Sequence, residues 1–471
     1  MARVLLIHPP ISSEELYKRG SQATASIIPP LGLAYIAAVL EKSGHAVEII
    51  DGIASNISVE ETIAKAKNFD FVGITVLSAF FKRCVEVVKG IKSAAGVPVI
   101  AGGAHATAMP GSLLESGVDY VVIGEGEETA RELVGALVSK SYANINKVKG
   151  IAFLRDGKMV VTERRPHVKN LDDLPMPARH LLPMDKYKTS EARTYRNPSH
   201  SLIVSRGCKG SCTFCFKGAF GTEFRCHSAE RIVQEMFELR DRYKAKEVAF
   251  LDDNFTTDRE GVLAVCQLLL EKNLGIPWSC EARIDTVDEE MLRMMKRAGC
   301  EFIAYGIESG SDRILQSINK RIDTKTITKI IRKTQVIGIS IRGYFILGFV
   351  GETEAEMLET IRFATFLNPD IATFSLLIPF PGTTDYIRAQ KEGGDFDPLF
   401  FRKKIVPEFN FLDDPIYCPK DISPQRLLEI HREAYRRFYF RPYFVMKAIA
   451  KIRSFHDLKR LFQGAKTLVQ S

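Results

Sequence analysis

Short apolar runs alternate with helical segments in two separate blocks of this chain, and that rhythm leaves few folds open to it. In residues 1–135 the runs are Val4–Ile7, Val47–Ile50, Phe71–Thr75, Val97–Ala101 and Tyr120–Ile123. Helices fall between them, one from Leu31 to Ser43 after Pro29-Pro30 and one through Val85 to Ala94. From 200 to about 385 the strand candidates are Leu202–Ser205, Glu247–Leu251, Trp278–Ala282, Phe302–Ile307, Ser340–Leu347 and Ile371–Ile378. Amphipathic helices such as Ala229 to Tyr243 and Thr324 to Val336 separate these. Continuous apolar strands alternating with helices predict parallel sheets buried on both faces. The first block reads as an α/β, Rossmann-like, doubly wound parallel sheet. Six repeats in the second are too few for a closed eightfold barrel.

Between the blocks lies a mixed stretch. Lys147 to Glu163 reads as a strand pair turning at Asp156-Gly157, and Leu171-Asp-Asp-Leu-Pro-Met-Pro177 is a proline-punctuated linker. The expected division is 1–140, a connector at 141–193, a second domain at 194–388 and a mostly helical segment at 389–471. At 471 residues and 45% hydrophobic composition the chain can bury more than one core. Ala2–Ile7 runs directly into His8-Pro-Pro10, too short for a secretory signal, and no apolar run has the length of a membrane span. Nine cysteines without a secretory signal point to a reducing cytoplasm. Cys84, Cys266, Cys280, Cys300 and Cys418 lie in apolar stretches and read as inert thiols.

In open parallel sheets ligands bind beyond the carboxyl ends of the strands. In the first block those ends are Thr75-Val-Leu-Ser78, Gly102-Gly-Ala-His105 and Gly124-Glu-Gly126. Glycine there lets a large flat ligand or a phosphate approach the backbone. No G-x-G-x-x-G follows the first strand, so a nicotinamide or flavin fingerprint is absent.

The second block opens on Cys208, Cys212 and Cys215, spaced C-x3-C-x2-C after a strand-like run, with Gly207 and Gly210 inside the loop and Phe214 before the third cysteine. Three thiolates on one loop can hold three irons of a 4Fe–4S cube and leave the fourth open to a substrate. Zinc is the competing reading, but zinc sites usually pair C-x2-C units or recruit histidine. Cys226 and His227 read as structural neighbours.

This loop resembles the cluster loop of the radical S-adenosylmethionine (SAM) superfamily. The resemblance implies that SAM chelates the open iron and is reductively cleaved to methionine and a 5′-deoxyadenosyl radical, which abstracts hydrogen from carbon. The six repeats match that superfamily's partial (β/α)6 barrel. By the same resemblance Phe214, Asp252, Asp253, Arg283, Glu308, Ile346 and Gly348 are the candidate SAM contacts. The carboxylates of Asp252 and Asp253 would take the ammonium, with one of the pair free to cap the next helix. Arg283 would pair with the SAM carboxylate or serve in a structural ion pair, Glu308 would pair with ribose hydroxyls, and Ile346 and Gly348 would flank adenine, although Tyr344 stands where the usual first glycine would be. Pro379-Phe-Pro-Gly-Thr383 would face substrate.

The N-terminal half, with Pro29-Pro-Leu-Gly-Leu-Ala34 and Gly102-Gly-Ala-His105, resembles the cobalamin-binding domain that precedes the core in one large subclass. Its candidate cobalamin contacts are Thr75, Ser78, Gly102, Gly103, His105, Gly124, Glu125 and Gly126. No D-x-H-x-x-G motif is present to offer cobalt a histidine, and the loop at Ser78, Ala79 and Phe80 is expected below the metal. The implied activity is carbon methylation, with one SAM supplying the methyl group through cobalamin and a second supplying the radical. Oxidative cyclisation or ring rearrangement without methyl transfer is the alternative within the subclass. A cluster- or cobalamin-based sensor is the alternative of another class, against which the SAM positions Asp252, Glu308 and Gly348 speak. The implied partners are a small-molecule or lipid substrate and a flavodoxin- or ferredoxin-type electron donor.

The net charge of +8 is concentrated at one end: from His431 onward ten Lys/Arg face two acids. Arg436 to Phe444 interleaves cations with aromatics, and Val445, Ile449, Ile452, Leu458, Leu461 and Phe462 continue an amphipathic pattern. Packing on the barrel, peripheral contact with an anionic membrane and RNA binding are the readings, in that order. No recognisable RNA-binding module accompanies the last.

Overall fold

A computed structural model describes residues 1–16, 26–189, 196–392, 394–407 and 414–442, with 444 and 446. Strands β1 (Arg3–His8), β2 (Ala46–Asp51), β3 (Phe71–Thr75), β4 (Val99–Gly102) and β5 (Tyr120–Val122) pair in parallel in the order β2-β1-β3-β4-β5. Successive connections leave β1 in opposite directions, so a crevice opens between the carboxyl ends of β1 and β3. The helices Leu31–Lys42 and Phe81–Ala94 bury Leu33, Ala37 and Leu40, and Cys84, Val87 and Ile91, against opposite faces of the sheet.

The strand pair anticipated inside the connector is part of this sheet. β6 (Ile151–Arg155) and β7 (Lys158–Val161) add to β5 in antiparallel fashion and extend it to seven strands. Asp156 (φ 50°) and Gly157 (φ 74°) supply the two left-handed residues that a tight hairpin of matching twist requires.

The second sheet contains β8 (Ser199–Leu202), β11 (Glu247–Phe250), β12 (Trp278–Ala282), β13 (Cys300–Glu308), β14 (Ser340–Leu347) and β15 (Ile371–Leu376), all parallel and in that spatial order. This is the six-stranded partial barrel. Its first strand lies earlier than the periodicity suggested, at Ser199–Leu202 instead of Leu202–Ser205. The Asp252 carboxylate explains the shift, because it accepts from the amides of Val204 (2.9 Å) and Ser205 and pulls the chain out of the ladder. Ser205–Arg206 (β9) then pairs with Arg225–Cys226 (β10) as a separate two-residue ladder.

Beyond the barrel, the helix Pro424–Tyr439 covers the free edge of β15. The Tyr435 and Tyr439 hydroxyls donate to the carbonyls of Phe374 (3.0 Å) and Ala372 (2.8 Å), and His431 meets Phe374 O at 2.9 Å. An edge strand with unpaired carbonyls invites pairing with other chains; here side chains substitute for a seventh strand. Phe438, Tyr439 and Phe444 of the Arg436–Phe444 stretch therefore pack on the barrel, with Phe438 fully buried, while Phe440 is exposed. The continuation at Val445, Ile449, Ile452, Leu458, Leu461 and Phe462 lies outside the described residues. Phe400, Phe401 and Val406 join the core of the N-terminal sheet, and Val406 N donates to Ala79 O at 2.9 Å. Among the described residues no helix is long and apolar enough to cross a membrane.

Candidate active site

The three cysteines lie on an excursion whose two stems are β9 and β10. Gly207 (φ 84°) begins it, and any Cβ there would fall 2.1 Å from Glu223 O, so only glycine lets the loop leave the ladder this tightly. A second loop cradles the first. Thr213 N donates to Ile318 O (3.0 Å), and Asn319 Nδ2 donates to Ser211 O (3.1 Å). Asp385 fixes Thr213 from both sides, through side chain (3.0 Å) and backbone (3.1 Å). Phe214 packs 5.6 Å from the Phe349 ring.

Burial, and then the nearby Asp253, Cys212 and Cys208, push the Cys215 thiol up to about 12. Sulfurs that repel one another as thiolates suit a strongly cationic occupant, which would reverse the Cys215 shift. Among the described residues no three His, Cys, Asp or Glu side chains converge on a single ion; cysteines that serve separate irons of a cube need not converge. Cys226 and His227 stand apart as structural residues, His227 Nδ1 being held by Asp172 at 2.8 Å.

The carboxyl ends of the barrel strands carry the charged positions. Asp252 spends Oδ1 on Val204 and Ser205, while its buried Oδ2 has no partner. Burial pushes its carboxyl up to about 7. Neither aspartate caps a helix, because the turn Phe255–Thr257 intervenes and the next helix, Arg259–Glu271, starts after Asp258. Asp253 keeps an exposed surface, yet partial desolvation raises its carboxyl, opposed by the Lys217 ammonium.

Arg283 forms the structural ion pair that is one of its two sequence readings. Its guanidinium meets both oxygens of Asp285 (2.9 and 2.8 Å), the carbonyl of Lys320 (2.8 Å) and Cys212 Sγ (3.4 Å). It thus stands as a cation beside the Cys212 sulfur. Glu308 adopts left-handed backbone (φ 69°), an uncommon and costly conformation for glutamate. Its side chain folds over Gly306 onto the buried Lys320 ammonium at 2.7 Å. Gly348 (φ 81°) donates its amide to Glu352 at 2.6 Å, and Phe349 donates to the same oxygen at 2.9 Å. The other Glu352 oxygen is buried without a partner, and burial raises this carboxyl to about 8. Ile346 lies half-buried beside Ser375 on β15.

The N-terminal edge is built differently. Gly103 (φ 105°) passes so close to Val76 O that a Cβ would lie 2.9 Å away, and Thr75 Oγ1 stands 3.1 Å from the same point. Gly102 O accepts from Val76 N (2.7 Å), and Thr107 Oγ1 accepts from Gly124 N (3.0 Å). Gly126 leaves room for Ile36. His105 uses both ring nitrogens inside the protein, on Ser78 Oγ (2.9 Å) and Ser112 Oγ (3.1 Å), and burial lowers it to about 4. It is therefore neutral and holds Ser78. Glu125 also turns inward, accepting from Arg225 (2.8 Å) and Val168 N (2.7 Å). Leu77 and Met109 by contrast stand exposed near this edge, at 42% and 38%. A glycine cradle bordered by bare apolar side chains fits a large flat cofactor such as cobalamin.

A cavity enters the barrel below these edges, lined by Ser199, Ser201, Glu281, Arg342 and Tyr344, with Ile27–Pro29 from the N-terminal chain at one side. The buried hydroxyls of Ser199 and Ser201 have no partner.

The sequence did not single out Asn319, Lys320, Glu352, Arg206 or Asp385. Asn319 (φ 58°) and Arg321 (φ 59°) flank Lys320 in left-handed backbone. The asparagine was the only local signal of that turn.

Fold and site together place a glycine-lined parallel sheet against a partial barrel that carries a loop of three cysteines. The B12 binding domain model matches residues 22–134 and the Radical SAM superfamily model matches residues 202–364. A Pyrococcus horikoshii protein named as an uncharacterized methyltransferase is 34% identical over 470 residues, spanning 98% of this chain and 97% of the relative. The anaerobic magnesium-protoporphyrin IX monomethyl ester cyclase of Rubrivivax gelatinosus is 27% identical over 464 residues, covering 95% and 79%. The solved structure of the radical SAM methyltransferase TsrM from Kitasatospora setae superposes with a TM-score of 0.70 over 94% of this chain and 89% of that one, at 16% identity, and so shares the fold. The chain belongs to the cobalamin-dependent radical SAM enzymes, whose cofactors are a 4Fe–4S cluster, SAM and cobalamin.

Proposed function

We propose that this enzyme is a C-methyltransferase that installs a methyl group on an unactivated carbon of a small molecule. The observation that carries the reading is the abutment of two ligand edges, the cluster loop on the barrel and the glycine cradle on the N-terminal sheet. Gly124 lies against Ala219, and Gly382 against both Phe216 and Ala108. When bound, the cluster supplies the electron that cleaves SAM and cobalamin carries the methyl group.

The chain's own residues do the positioning. Cys208, Cys212 and Cys215 hold three irons, and Arg283 stabilises the thiolate of Cys212. Asp253, free of protein partners, takes the SAM ammonium, with Asp252 holding the strand ends behind it. Lys320 fixes Glu308 so that its remaining oxygen can accept from ribose. Phe214, Ile346 and Gly348 bound the nucleoside, Glu352 holding the Gly348 bend. Thr75, Ser78, Gly102, Gly103, Gly124 and Gly126 face cobalamin, and His105 and Glu125 support them from behind. In this reading 1–140 together with the β6–β7 hairpin act as cobalamin domain, the rest of 141–193 as connector, 194–388 as barrel and 389–471 as substrate-shaping segment. The barrel cavity, lined by hydroxyls and by Glu281 and Arg342, gathers the substrate carbon toward the radical. A flavodoxin- or ferredoxin-type donor in the cytoplasm supplies electrons, and peripheral membrane contact falls to the basic end of the chain.

The test uses SAM bearing a trideuterated methyl group and substrate candidates drawn from neighbouring genes. Product heavier by a CD3 group supports methylation. A turned-over product without the label favours ring closure, the second reading, which rests on the likeness to the R. gelatinosus cyclase.

A further inference from the structure

The two stems of the cluster loop each carry an arginine, and the two face one another in register: Arg206 on β9 pairs with Arg225 on β10. Both reach across to one loop of the N-terminal domain, Gly124-Glu-Gly-Glu127, which closes β5 at its ligand edge. Arg225 Nη1 donates to Glu125 Oε1 at 2.8 Å, and Arg206 Nη1 lies 3.3 Å from the same oxygen. Arg206 Nη2 reaches Glu127 Oε1 at 2.5 Å. No side chain of the four is more than 7% exposed. Arg225 also donates to Val168 O (2.7 Å) and Phe220 O (3.0 Å), tying connector and loop into the same knot.

The group is neutral overall, two carboxylates against two guanidinium ions. Burying it is a weak route to stability, since desolvation offsets most of the Coulombic gain. What a forked, directional network supplies instead is register, which an apolar contact does not. It acts where register has a chemical consequence: Arg206 lies two residues before Cys208, and Glu125 sits between Gly124 and Gly126.

We propose that Glu125 and Glu127, with Arg206 and Arg225, are positioning residues that set the separation between the cluster and the cobalamin. This rests on the functional reading above, because it needs both cofactors in place. The cluster and the cobalt edge are gripped by the same four side chains, so a change in the grip moves one against the other without touching either's own contacts.

The test measures the dipolar coupling between the reduced cluster and cob(II)alamin by pulsed electron paramagnetic resonance in the anaerobic holoenzyme. Wild type should give one narrow distance distribution. Glu127→Gln and Arg206→Lys should retain iron, cobalamin and each centre's own spectrum, while the width of the distribution at least doubles. Where either single variant fails to fold through its unpaired buried charge, the apolar pair Glu127→Leu with Arg206→Leu removes both charges together and should broaden the distribution likewise. Unchanged widths in variants that hold both cofactors overturn this proposal alone. A wild-type protein that holds the cluster and takes up no cobalamin overturns it together with the functional reading.

Discussion

The barrel and the N-terminal sheet both present ligands at the carboxyl ends of parallel strands, but they furnish those ends with opposite chemistry. At the barrel edge the side chains are charged and held by partners: Arg283 by Asp285 and Cys212, Glu308 by Lys320, Glu352 by two amides. At the N-terminal edge they are glycines, hydroxyls and a neutral histidine, with Leu77 and Met109 left bare and the edge's two acids, Glu125 and Glu127, turned inward onto arginines. A small zwitterionic nucleoside on iron needs fixed point charges. A wide, flat cofactor needs clearance and apolar wall. The same topological rule thus serves two ligands, and the composition of each edge reports the size and charge of what it holds.

The strongest way to break this comparison is to remove one cofactor and watch the other. Cys212→Ala should abolish iron–sulfur content and SAM cleavage while cobalamin uptake, followed by its visible absorbance, stays at the wild-type level. Gly103→Val is the reciprocal change. A side chain forced into that backbone against Val76 O costs about 1–3 kcal/mol locally, enough to weaken cobalamin binding about 5- to 150-fold. Iron content should not change. If either variant loses both cofactors, the edges are not independent.

The pH dependence of stability sharpens the contrast, because the two edges carry slopes of opposite sign. Glu352 is raised from an ordinary 4.5 to about 8, so the folded chain keeps a proton that the unfolded chain gives up. Its stabilisation is complete below the lower value and is lost as pH rises toward the upper one, a fall of up to several kcal/mol. His105 is lowered from 6.5 to about 4, so its contribution is complete above 6.5 and lost as pH falls toward 4. Glu352→Gln should flatten the loss between about pH 5 and pH 8 in denaturant midpoints. His105→Gln should leave that limb alone and flatten the acid one.

The smallest effect belongs to the opposite end of the barrel. Arg196 and Glu301 form an exposed pair there, both side chains about two-fifths accessible. Glu301→Gln should cost less than about 1 kcal/mol and alter neither cofactor, as measured by unfolding and metal analysis.

Much of the fold was legible because parallel strands and their helices write strong local periodicity, and because the cysteine spacing is itself a ligand set. What local pattern did not carry was pairing at long range. Glu125 looked like a ligand residue from its glycine neighbours, yet its partner Arg225 lies 100 residues away. Arg283 was open to two readings, SAM partner or structural ion pair, and only the fold showed Asp285, Lys320 and Cys212 closing around it. The first barrel strand was displaced by a carboxylate 47 residues downstream of Ser205. The hairpin at Asp156-Gly157 was read correctly as a hairpin, but nothing local said which sheet it would join.

The central claim is that these two edges form one radical enzyme, and SAM cleavage tests it most directly. The anaerobically reconstituted protein, holding cluster and cobalamin, is incubated with a strong reductant and SAM, and the nucleoside products are quantified. The structure predicts 5′-deoxyadenosine in wild type and none in the Cys208→Ala, Cys212→Ala or Cys215→Ala variants. A fully loaded wild-type protein that yields no 5′-deoxyadenosine with any reductant or substrate candidate would contradict it.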